Sequence, residues 1–138
     1  MKTALALGHP WLVIAGPLAI VAGPASGGLL HDAALHAVYV GFVLGMVFAH
    51  APIVLPALLK VRFAPGRALF VPLALLHLSV AARVAGDLAN APGIRRASTL
   101  AHVAALVMFA SIAIVSIASQ RGAHRAARPL HPEPERTP

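Results

Sequence analysis

Four of the eight histidines in this 138-residue chain, His36, His50, His77 and His102, fall inside long apolar runs. A neutral imidazole is a ligand for iron, copper or zinc, and apolar surroundings keep it neutral. Ionisable groups inside a membrane are costly, so where they occur they generally mark function. The absence of cysteine removes thiolate metal sites, iron–sulfur clusters, disulfides, covalent c-type haem and cysteine nucleophiles. The chain also lacks a glycine-rich phosphate loop, a metalloprotease HExxH and a readable Ser/His/Asp arrangement. Its carboxylates number four, and Glu133 and Glu135 lie in the tail, which argues against paired-carboxylate catalysis.

The elements that must carry these histidines follow from composition. The chain is 59% hydrophobic and 11% charged, with a mean hydropathy of +0.81. A soluble domain averages about 25% charged residues, and here the charges cluster between apolar stretches. This pattern predicts an all-α, polytopic membrane protein, a four-helix up-down bundle. The spans fall at about 3–22, 33–59, 68–89 and 97–119 and form one transmembrane domain over 1–120. Residues 121–138 read as a disordered, proline-rich cytoplasmic tail. The first span also has the basic start, apolar middle and small residues of a cleaved signal peptide, while His9, Pro10, Gly16 and Pro17 interrupt it under either reading.

The net charge of +7 serves orientation and gives no nucleic-acid footprint. Lys2, Lys60, Arg62, Arg67, Arg121, Arg125, Arg128 and Arg136 fall on one side of a four-span arrangement, against Arg95 and Arg96 on the other. The positive-inside rule places both termini in the cytoplasm of a bacterial-type inner membrane. Depth then follows from position. His36 and His102 share an outer layer, while His50 and His77 share an inner one. His50 lies about 21 Å below His36 at helical rise, and α-helical rotation returns it to within about 40° of the same face. The small residues Ala37, Gly41, Gly45 and Ala49 make a separate stripe for close helix packing.

Haem iron in a bundle takes one histidine from each of two facing helices at one depth. His36 and His102, on diagonal helices, meet that requirement. His50 and His77 come from adjacent helices, too close for a sandwiched porphyrin at 8–10 Å axial spacing unless Pro52 and Pro56 bend the second helix away. A second haem, copper or another single metal is the expectation there. Arg83 and Asp87, one turn apart, form either a self-neutralising pair or a clamp in which Asp87 orients Arg83 toward a haem propionate. Arg95 and Arg96 precede a helix N-terminus, where positive charge is unfavourable, and an anionic partner would offset that conflict. Any one of these histidines could instead simply bond a neighbouring helix.

The spacing of His36 and His50 resembles that in membrane b-type cytochromes that stack two haems across the bilayer. The stretch "GFVLGMVFAHAPIVLP" is similar to the nitric-oxide-response (NnrS-like) haem–copper membrane proteins. The resemblance covers about one helix of four and implies haem or copper ligation by the four histidines. The chain departs from the cytochrome pattern, since Ser116 and Ala91 stand fourteen residues after His102 and His77. The resulting expectation is a haem b-binding electron-transfer protein, a non-catalytic subunit or partner of a larger membrane redox complex, or a homo-oligomer. The alternative is a cofactor-free accessory or transport subunit that uses its buried histidines and Arg83–Asp87 for proton relay or helix packing.

Overall fold

A computed structural model of the chain describes residues 6–24, 27–59 and 66–126, with side chains described over 6–24, 27–58 and 67–119. Among them are four helical rods and no strand. Helix α1 is His9–Ala22. Rod α2 is continuous but has three parts: α-helix over Leu29–His36, π-helix over Ala37–Leu44, and α-helix again over Gly45–Leu59. A 3₁₀ turn, Gly66–Leu69, leads into α3, Phe70–Leu88. Helix α4 is Pro92–Ala126.

Three of the rods are long and apolar enough to cross a membrane: Leu29–Leu58, Arg67–Leu88 and Pro92–Ser119. Helix α1 is shorter. Its 14 residues reach about 21 Å against a hydrocarbon layer of about 30 Å. Helix α4 continues through Ala126, so residues 121–126 of the expected tail are helical, and 127–138 lie outside the described residues.

Helix α3 is the shared wall. Leu73, Leu76, Val80 and Val84 repeat at helical spacing, are all buried, and meet α1 and α2. Along its other side α3 packs closely on α4. The α2 stripe Ala37, Gly41, Gly45 and Ala49 is buried, as its small side chains require for close approach. Gly41 lies under the Trp11 ring, where a Cβ would stand 2.5 Å from the nearest indole carbon. The opposite side of α2, with Tyr39, Val43, Val47 and Leu58, is exposed and hydrophobic, as a lipid-facing surface must be.

The π segment decides which way the histidines turn. In a continuous α-helix Ala37 and Ala49 would lie about 120° apart, which would split the small-residue stripe. Eight residues wound at the wider π pitch of about 4.4 per turn bring those two alanines back to one face within about 25°. The same unwinding moves His36 and His50 to roughly opposite sides of the rod, one on each flank of the stripe. This corrects the expectation that the two imidazoles share a face. His36 turns into the bundle, and His50 is exposed.

Candidate functional site

The charged groups of the interior gather at the end of the bundle where α3 turns into α4. That turn is a Schellman motif. Asn90 adopts the left-handed conformation (φ 49°), its N–H bonds the Asp87 carbonyl, and the Ala91 N–H bonds the Gly86 carbonyl at 2.8 Å. Gly86 lets the first turn of α4 come close, since a Cβ there would lie 3.1 Å from side-chain carbons of Ile94 and Arg95. The turn thus sets Arg95 against Asp87.

Arg83 is the hub of this ionic end. Its Nε donates to Asp87 Oδ2 at 3.1 Å, its Nη1 to Thr99 Oγ1 at 3.1 Å, and its Nη2 to Asp32 Oδ2. One guanidinium therefore ties α3 to both α2 and α4. Arg95 Nε stands 2.9 Å from Asp87 Oδ1, close enough for charge attraction but not aligned as a hydrogen bond. Asp87 is 2% exposed. Two carboxylates and two guanidiniums balance in charge, which a buried ionic group requires. The expected contact between Arg83 and Asp87 is present. The place expected for a propionate on Arg83 is held instead by Asp32, because Asp32 lies one turn before His36 on the face of α2 that meets α3. Arg96 is exposed and has no partner among the described residues.

One turn deeper, the rings of His36 and His102 approach to 6.0 Å between centroids with 19° between their planes. The His36 Nδ1–H donates to the Asp32 carbonyl at 2.8 Å. A carbonyl can only accept, so Nδ1 carries the proton and neutral His36 keeps a lone pair on Nε2. Carbonyl support of the distal N–H is the arrangement that fixes metal-ligating histidines. His102 is 9% exposed, and its Nε2 is buried without a hydrogen-bond partner. The two rings thus lie near-parallel, with His102 Nε2 left without a partner and His36 Nε2 free of its proton.

Asp32, His36 and Asp87 also present ligand atoms within 4.8 Å of one another. Both carboxylates already serve arginines, however, so a cation there would have to displace Arg83.

His50 and His77 share no contact with each other. His77 lies against Gly45, with a hypothetical Cβ there 3.1 Å from its Cε1, and its Nδ1 accepts the indole N–H of Trp11 at 2.8 Å. Because an indole only donates, neutral His77 must carry its proton on Nε2 and has no lone pair left for a metal. This corrects the reading of His77 as a ligand paired with His50. The His50 Nδ1–H donates to its own helix at the Met46 carbonyl, 2.8 Å away, and its ring faces away from α3.

The functional residue that sequence reasoning passed over is Asp32. Its signal was available: one of only two carboxylates ahead of the tail, placed four residues before a candidate ligand.

Fold and site together define a small helical bundle, with three helices fit to cross a membrane and a partly buried His–Asp–Arg cluster near one end. The chain belongs to the family described as Domain of unknown function (DUF8744), which matches residues 1–118. No curated protein and no solved structure matches it.

Proposed function

We propose that this protein is an integral membrane haem-binding protein that carries electrons as a subunit or partner of a larger redox complex. The observation that carries the reading is the near-parallel His36–His102 pair, 6.0 Å between ring centroids, with one lone pair oriented by a carbonyl and one buried nitrogen left unpartnered. His36 and His102 would hold haem b, which when bound supplies a one-electron couple. Asp32 fixes the His36 ring through its backbone carbonyl. Arg83 holds α2, α3 and α4 at fixed spacing around the pair. The Lys and Arg distribution supports a bacterial-type inner membrane with the α2–α3 connection and the C-terminal end of α4 on the cytoplasmic side.

The test is a reduced-minus-oxidised visible spectrum of the protein purified in detergent. A Soret and α-band change is expected from the native chain. His36→Ala and His102→Ala lose most of the bound haem, while His31→Ala keeps it. Unchanged haem content in His102→Ala would remove the pair from the mechanism. A second reading, a cofactor-free proton relay, draws on the continuous chain from His36 through Asp32 and Arg83 to Asp87 and Arg95. A native chain with no spectral change would favour it.

A further inference from the structure

A groove of about 520 Å³ follows the exposed flank of α2, where Phe42, Met46, Val47, His50 and Val54 meet Phe109 of α4. Its back is rigid, because Phe109 stacks on the buried Phe48 at 4.0 Å between centroids. Every side chain lining it is apolar except His50.

The polarity of that imidazole is defined. Its Nδ1–H is bound to the Met46 carbonyl, so neutral His50 presents Nε2 as an acceptor. No described residue donates to it. His50 lies eight residues, about 12 Å, short of Leu58, where the apolar span ends. Its acceptor therefore stands within the hydrocarbon layer, below the headgroups, where an unsatisfied polar atom is costly. The partner that relieves this cost must bring an O–H or N–H donor to that depth on an apolar body.

We propose that the groove binds a lipid-phase hydroquinone, its phenolic O–H donating to His50 Nε2 and its tail lying along Val47 and Val54. A phenol is a strong donor attached directly to an apolar ring, so it can reach this depth, whereas membrane alcohols hold their hydroxyls at the interface. The ring also suits the gap between Phe42 and Phe109, where offset or edge-on aromatic contacts are favourable. The site is separate from the His36–His102 pair and does not depend on what that pair holds.

The experiment uses the full chain, ¹⁵N-labelled at histidine, in phosphatidylcholine nanodiscs titrated with a decyl-substituted benzohydroquinone. The His50 Nε2 resonance should shift as it accepts the bond. The hydroquinone should bind about three- to tenfold tighter than its own dimethyl ether, the worth of one hydrogen bond. His50→Leu should bring the two ligands to equal affinity, and Val47→Trp, which fills the groove, should weaken both. Equal binding of hydroquinone and ether by the unmodified chain, a comparison that needs no variant, would overturn the proposal. So would a still Nε2 resonance. In discs containing phosphatidylethanolamine, a shift produced by the lipid alone and unaltered by hydroquinone would identify a headgroup ammonium as the partner and equally overturn it; a further shift on adding hydroquinone supports the proposal.

Discussion

His36 and His77 are both interior imidazoles held by one hydrogen bond at Nδ1, yet they differ in what that bond leaves behind. At His36 the partner is a carbonyl, so Nδ1 holds the proton and Nε2 is free to ligate. At His77 the partner is the Trp11 indole N–H, so the proton moves to Nε2 and the ring has nothing to offer a metal. The surroundings differ in the same way. His36 belongs to a network of opposed charges that joins three helices. His77 belongs to a shape-matched contact in which a tryptophan lies flat on a glycine and docks α1 onto α2 and α3. One region is specified by charge, the other by surface fit, and the neighbour of each ring determines its chemistry.

The largest effect is expected where charge does the specifying. Asp87→Ala leaves Arg83 with Asp32 as its one carboxylate and leaves Arg95 without its own, in a setting where Asp87 is fully buried. Breaking a buried pair by removing one partner costs about 3–5 kcal/mol. Unfolding in mixed detergent and sodium dodecyl sulfate micelles should report a loss of that order. A loss below about 1 kcal/mol would mean that the ionic end is solvated and contributes little.

Shape should fail more gently. Gly41→Val places a branched side chain where even a Cβ would stand 2.5–2.9 Å from three indole carbons. Overpacking of this kind costs about 1–3 kcal/mol. Helix α1 should lift from α2, with a shift in Trp11 fluorescence, while the His36–His102 separation stays as it is. A change in the His36–His102 separation together with the fluorescence shift would show that the two regions are coupled after all.

How far the sequence reaches can be seen at particular residues. The helical rods, the small-residue stripe of α2 and the Arg83–Asp87 contact follow from hydropathy, residue size and i,i+4 spacing, and all three are legible. The approach of His36 to His102 was legible from depth alone. The placement of His50 was not, because the rotation assumed an α pitch throughout, and no residue of Ala37–Leu44 announces π winding. Nor was the fate of His77, since depth says nothing about which neighbour reaches a ring nitrogen. Trp11, on α1, supplies that neighbour from sixty-six residues away. Asp32 is visible in the sequence, but its role depends on Arg83 reaching across from another helix, which spacing along the chain does not show.

The smallest perturbation addresses the comparison most directly. Trp11→Phe keeps a ring over Gly41 and removes only the indole N–H. The stability cost should be that of one interhelical hydrogen bond in a membrane protein, about 0.6–2 kcal/mol. The more informative readout is the ¹⁵N spectrum of the histidines. In the native chain His77 should show its proton on Nε2 and His36 on Nδ1. Without the indole donor, His77 loses what held Nδ1 unprotonated and should pass to a mixture of both tautomers, while His36 should not change. If His77 keeps a single Nε2–H tautomer in this variant, Trp11 is not what sets its proton, and the Gly45 side of the ring must hold the constraint instead.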